Sequence, residues 1–179
     1  MELAFLSLRN KINKVPNMHI EISFSLKGPN GTFIHELDLE AEFDRFREEF
    51  KDVEDNLGRI MIDAGEDQYT SFEDELDYLV PEVCFRSIAD LKNERPITII
   101  FSRYSGRFTM SPSGKDVLIT GDRISDLECP RLSLIEALWD CGNRFLSFYE
   151  RFRGGMEDFD WRIREVQAAR KAAGIGYGE

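Results

Sequence analysis

The groups in this 179-residue sequence best equipped to do chemistry are its carboxylates: 34 Asp and Glu stand against 23 Lys and Arg, a formal net charge of −11. Residues 36–82 hold 18 of these acids and four bases, a local −14, while the remainder carries 16 acids and 19 bases, or +3. Paired carboxylates act as general acid and base only where a cleft drives their pKa values apart, and their abundance here singles out no pair. Asp63-x-x-Glu66-Asp67 lacks the ligand spacing of a calcium loop. Glu49-Phe50-Lys51 has the acid-x-Lys order of some nuclease sites, yet it falls in a predicted amphipathic helix with Phe50 inward, where a surface charge pair beside a core residue is the plainer reading.

Other nucleophilic or ligating types are equally unsupported. Ser113-Gly114-Lys115 has no upstream glycines and reads as a hairpin turn rather than a phosphate loop, and no Gly-x-Ser-x-Gly elbow occurs. His19 and His35 share a predicted hairpin with no motif placing a nucleophile beside either, so both read as structural. Cys84, Cys129 and Cys141 form no Cys-x-x-Cys pair and sit among apolar or helical neighbours, as buried reduced thiols do. The sequence therefore points to no catalytic residue, no metal ligand and no cofactor.

Concentrated negative charge can instead do recognition. It destabilises the compact state by self-repulsion, and a basic protein docking on it would associate fast by electrostatic steering. It disfavours direct nucleic-acid binding and anionic membranes. Helix dipoles account for acids at the start of the two predicted helices of the acidic segment, but not for Glu54 and Asp55 near the end of the first. The expected docking residues are Glu48, Glu49, Asp52, Asp55, Asp67, Glu73 and Asp77. A solvated acidic face that only aids solubility is the competing reading.

The elements that must position these residues follow from periodicity. Met18, Ile20, Ile22, Phe24 and Leu26 alternate with polar residues, and Phe33, His35, Leu37 and Leu39 resume the alternation after Lys27-Gly28-Pro29-Asn30-Gly31, predicting a hairpin over 18–39. Phe43, Phe46, Phe50, Val53 and Leu57 predict one amphipathic helix over 40–57 ended by Gly58. Arg59–Asp63 reads as a short strand. Ser71 with Asp74 resembles a capping box opening a helix that carries Phe72, Leu76, Leu79 and Val80 and kinks or restarts at Pro81, with Val83, Phe85, Ile88 and Leu91 inside.

Ile97–Phe101, Arg107–Met110 and Val117–Thr120 predict a three-stranded meander, followed by a loop from Gly121 to Pro130. Leu134, Leu138, Cys141, Phe145 and Phe152 place a long buried helix over 132–153, stopped by Gly154-Gly155, whose stripe with Trp139, Phe148 and Tyr149 reads as core. A last helix runs from about 158 to 172, and Trp161 and Tyr177 are candidates for exposed contacts. The expected fold is α+β: a mainly antiparallel sheet, made of the N-terminal hairpin and the meander, covered by three to four helices. One domain spans 1–173, and 174–179 form a flexible Gly-rich tail. No secretion signal is read at Met1–Arg9 and no 20-residue apolar run occurs, so a cytoplasmic location is expected.

The layout resembles small acidic bacterial immunity proteins of interbacterial and polymorphic toxin systems. The resemblance rests on the meander over 97–120, with its Arg107-Phe108-Thr109-Met110-Ser111-Pro112-Ser113-Gly114-Lys115-Asp116-Val117 turn, followed by the helix Leu132-Ser133-Leu134-Ile135-Glu136-Ala137-Leu138-Trp139-Asp140. It is a likeness of layout over about 130 residues that transfers no functional residues, and it implies a non-enzymatic inhibitor covering a basic toxin or nuclease. Two other readings stay open: a DNA-mimicking inhibitor of a nucleic-acid-binding protein, and a carboxylate-dependent hydrolase using acids of 63–82 with Glu36 or Asp38.

Overall fold

Alternation at 20–26 builds the strand it predicts. In the computed structural model, which describes residues 19–51, 53 and 55–177, β1 (Glu21–Lys27) pairs antiparallel with β2 (Phe33–His35). Gly31 sits in the connecting turn at φ +82°, a conformation that needs glycine. The expected strand residues Leu37 and Leu39 instead belong to α1 (Glu36–Ala41), because the His35 ring nitrogen Nδ1 accepts the Leu37 N–H (3.2 Å) and caps a helix there.

The single helix expected over 40–57 is two short ones. After α1 the chain breaks at Glu42 (φ −120°, ψ 38°), and α2 (Phe43–Glu49) ends at Phe50. Gly58 stops no helix: it lies inside β3 (Leu57–Asp63), where a Cβ would come within 2.3 Å of the Ser25 carbonyl oxygen and 2.6 Å of Leu76. The helix expected from Ser71 is likewise a strand, β4 (Tyr69–Glu75), with Thr70, Phe72 and Asp74 buried in alternation. One antiparallel sheet in the order β2-β1-β3-β4 results, with Phe24, Ile60 and Phe72 in register on its inner face.

A continuous helical stretch follows: α3 (Leu76–Val80), a π-helical segment (Pro81–Arg86) and α4 (Ser87–Lys92). Pro81 has no N–H and its ring crowds the carbonyl four residues back, so the wider π spacing absorbs the expected restart without ending the helix. The meander then appears as β5 (Ile97–Ile100), β6 (Arg107–Ser113) and β7 (Asp116–Gly121), and the expected loop after it contains a fourth strand, β8 (Leu127–Pro130). They form a second antiparallel sheet in the order β5-β6-β7-β8. The α+β class holds, with two four-stranded sheets in place of one.

The two sheets share one hydrophobic core. Phe72 of β4 stacks on Phe108 of β6 with ring centroids 3.9 Å apart and planes 11° from parallel, joining one sheet to the other. Helix α5 (Arg131–Arg153) follows β8 directly and lays Phe145 and Phe148 against Phe24 of β1, as its aromatic stripe predicts. Gly142 lets α5 approach the π segment, since a Cβ there would meet the Phe85 ring at 2.6 Å. Helix α6 (Glu157–Tyr177) packs Phe159, Ile163 and Val166 inward and continues five residues past its expected end at 172. All three cysteines are buried and free. Among the described residues no helix is long and apolar enough to cross a membrane. Met18, Asp52, Glu54 and 178–179 lie outside the described residues.

Candidate binding cleft

Part of the acidic segment is turned inside the molecule, with Glu36, Asp74 and Asp77 buried. Glu36 is buried and takes a two-point contact from Arg144 of α5, Nε to Oε2 at 2.9 Å and Nη2 to Oε1 at 3.0 Å, and that hydrogen-bonded charge raises the Arg144 pKa above its ordinary value. Asp74 is fully buried and accepts hydrogen bonds from the Ser102 hydroxyl (2.7 Å), the Arg103 N–H (3.2 Å) and the Ser102 N–H. The arginines of the near-neutral remainder thus neutralise carboxylates of the segment: Arg151 on Glu40, Arg103 on Asp55 and Glu75, Arg162 on Glu75 and Asp77.

The seven expected docking residues separate accordingly. Glu48 and Glu49 are exposed on α2, Glu48 bonded to Lys51 and Glu49 facing Arg45 at 4.0 Å. Asp67 is exposed in the β3–β4 turn at φ 63°. Asp55 and Glu73 are half-buried, Asp55 on Arg103 and Glu73 on Lys27 (2.8 Å). Asp77 is buried, only 4% of its side chain being exposed. Asp52 lies outside the described residues. The α2 pair, the turn and Asp77 sit on separate elements, so they do not form one patch by themselves.

Asp77 belongs to a buried polar network that the segment builds with α5 and α6. Its Oδ2 accepts from Arg162 Nη1 (2.6 Å), the Tyr149 hydroxyl (3.3 Å) and Asn56 Nδ2 (3.4 Å), while Oδ1 has no partner among the described residues. Asn56 is the hub: its backbone oxygen accepts the first N–H of α3 (2.9 Å) and its Oδ1 accepts Arg153 Nε (3.1 Å). Arg153, fully buried, donates on to the carbonyls of Phe50 (2.8 Å) and Val53 (3.0 Å). Burial pulls the Arg153 pKa below its ordinary value and, with the Asp77 charge, pushes the Tyr149 hydroxyl well up. For Arg162 burial pulls down, but the hydrogen bond and charge of Asp77 outweigh it and the pKa is raised.

In front of this network lies a cleft of about 190 Å³. Glu75 and Asp77 line it where β4 runs into α3, Tyr78, Pro81, Glu82 and Arg86 on the α3 and π-helical side, and Trp161, Arg162 and Glu165 on α6. Glu82 pairs with Arg86, which also faces Glu165 at 3.8 Å. Four carboxylates against two guanidinium groups leave the lining net negative. Trp161 is 56% exposed, whereas Trp139 is buried. An open indole beside surplus carboxylates is suited to holding a cation.

Sequence reasoning picked out Asp77 and Trp161 separately and missed Arg162 and Glu165. Both lie outside the acidic segment, and the only signal was that Trp161 and Glu165, four apart, share a helix face. Among the described residues no group of His, Cys, Asp and Glu is placed to hold a metal ion. Compared with known proteins, the chain matches no protein-family model, no curated protein and no solved structure.

Proposed function

We propose that this chain is a non-enzymatic protein-binding module that docks on a basic partner through acidic surface contributed by residues 36–82, and that it acts as an immunity-type inhibitor of a toxin or nuclease. The observation that supports this reading best is the cleft, where Glu75, Asp77 and Glu82, the C-terminal part of the acidic segment, meet the exposed Trp161. Aromatic anchors set in a charged rim are the usual centres of protein interfaces. Glu48, Glu49 and Asp67 remain exposed and supply the outer, steering charge.

The test uses the product of the gene adjacent to this one. It is expressed alone and with this chain, and the association rate of the purified pair is measured at low and high salt. Relief of toxicity by the wild-type chain is expected, together with slower, less salt-dependent association for the Glu48→Lys/Glu49→Lys/Asp67→Lys variant. An unchanged rate and salt dependence in that variant would refute electrostatic docking.

A carboxylate-dependent hydrolase is the second reading, favoured by the convergence of four carboxylates in the cleft. Each of them bonds or faces an arginine, as in an ion-pair network, whereas a general acid has to be free of such a partner. Hydrolysis of any substrate that is lost in both Glu82→Gln and Glu165→Gln would favour this second reading.

A further inference from the structure

Strand β5 lies at one edge of the second sheet, and the fold leaves most of its outward backbone unused. Phe101 N–H donates to the Gly106 carbonyl (3.1 Å), so along the β5–β6 register Ile97 and Ile99 also bond to β6, while Thr98 and Ile100 direct their N–H and C=O groups away from it. The Ile100 carbonyl accepts the Tyr78 hydroxyl (2.8 Å). The Thr98 N–H and C=O and the Ile100 N–H have no partner among the described residues. Both residues are exposed, and Ile100, at 63%, leaves a large apolar side chain open at the edge.

A free sheet edge is a template for pairing with another chain, and proteins blunt such edges with charge, proline or shortness. The other three edges are blunted in these ways: β2 has three residues, β4 carries Glu73 and Glu75, and β8 carries Glu128 and ends at Pro130. The β5 sequence Ile97-Thr98-Ile99-Ile100 is β-branched throughout and holds neither charge nor proline. Its one edge contact shows where an added strand leads. Tyr78, which holds the Ile100 carbonyl, also lines the cleft whose four carboxylates outnumber its two guanidinium groups. A segment laid along β5 and continued past Ile100 therefore reaches a net negative surface, which favours lysine or arginine at that end. A second copy of this chain, itself at −11, would bring like charge there instead.

Building on the proposed docking on a basic partner, we infer that the free edge of β5 takes an extended segment of that partner as a fifth strand of the second sheet, with basic residues of the segment carried past Tyr78 to the carboxylates of the cleft. The Thr98 and Ile100 backbone groups supply the pairing, Ile100 the apolar contact, and Glu75, Glu82 and Glu165 the charge that selects a basic segment.

The experiment needs no partner protein. Wild-type chain is titrated with acetyl-Arg-Thr-Val-Thr-Val-Arg-amide and with acetyl-Glu-Thr-Val-Thr-Val-Glu-amide, following the backbone amides and their hydrogen exchange by NMR. The basic peptide is expected to shift the Thr98 and Ile100 amides saturably and to slow their exchange at least about fivefold, leaving Ile97 and Ile99, already bonded to β6, unchanged. The acidic peptide should bind at least about fivefold more weakly at low salt, a difference that shrinks at high salt. Thr98→Pro removes an N–H that points away from β6 and so spares the ladder; it should weaken the basic peptide by about tenfold while the Phe101 N–H keeps its protection. If that variant does not fold, the alternating exchange pattern in the wild type decides alone. No response at Thr98 and Ile100, or undiminished binding by folded Thr98→Pro, would overturn the strand site. Equal binding of the acidic peptide would overturn the selection of a basic segment, and shifts of Thr98 and Ile100 that follow chain concentration without peptide would reassign the edge to a second copy. All these readouts lie on β5, whereas the association test changes Glu48, Glu49 and Asp67, so failure of the strand site and failure of acidic docking are told apart.

Discussion

The carboxylate of Asp74, at the end of β4, is bound by both the backbone N–H and the hydroxyl of Ser102, 28 residues later in the loop between β5 and β6. This contact ties the first sheet to the second, beside the stack of Phe72 on Phe108. It turns an acid of the −14 segment into a structural group and leaves it no role at the surface.

Replacing Asp74 with alanine strips Ser102 and Arg103 of the acceptor for two backbone donors. We expect a loss of about 1.5–3 kcal/mol in urea-induced unfolding, the worth of hydrogen bonds to a charged group. Asp74→Asn keeps one acceptor oxygen and should recover part of it.

Arg153→Met should be among the most destabilising single changes in the chain. It removes the donors to the Phe50 and Val53 carbonyls and to Asn56 Oδ1, and breaking a buried charged network typically costs about 3–5 kcal/mol. Arg153→Lys keeps the charge but cannot reach three acceptors in fixed directions, so it should recover little. Hydrogen exchange should show the segment from Phe50 to Asn56 opening first.

Charge reversals should sort the acidic residues by their placement. Glu48→Lys, Glu49→Lys and Asp67→Lys, at exposed positions, should each alter stability by less than about 0.5 kcal/mol. Asp77→Lys buries a third cation beside Arg162 and Arg153 and should prevent stable folding. Thermal melts of the four variants check the distinction.

Stability should fall on the alkaline side. Burial, with Asp116 and Glu128 adding, pushes the Cys129 thiol from 9.0 up to about 12. Cys84 is also pushed well up, chiefly by its hydrogen bond with Cys141 and then by burial, and Tyr149 by burial. Below pH 9 the Cys129 thiol is protonated in both states. As pH rises from 9 toward 12 the unfolded chain releases the proton and the folded chain keeps it, so the free energy of unfolding falls and stability is lost. Urea midpoints between pH 8 and 11 should decline, and Cys129→Ala should flatten the decline. At pH 8 a thiol reagent should modify none of the three cysteines in the native chain and all three in denaturant.

The sequence by itself determined the elements whose periodicity is uninterrupted. Ile22, Phe24 and Leu26 could bury one face only as a strand, and the apolar positions from Leu134 to Phe152 could share a face only as a helix. It also determined that the acidity is local. Tertiary structure decided what that acidity is for. The strand β4 was hidden because its third inward residue is Asp74, a charge made tolerable only by donors from the second sheet, so Phe72 and Leu76 read as helical neighbours instead. The end of α2 was set by Arg153, whose guanidinium takes carbonyls that a longer helix would have used itself. Trp161 and Asp77 became one cleft only when α6 packed on the π-helical segment. Local spacing fixes which face of an element is apolar, but which buried charges find partners depends on side chains about 30 to 100 residues away, and only the folded chain brings those together.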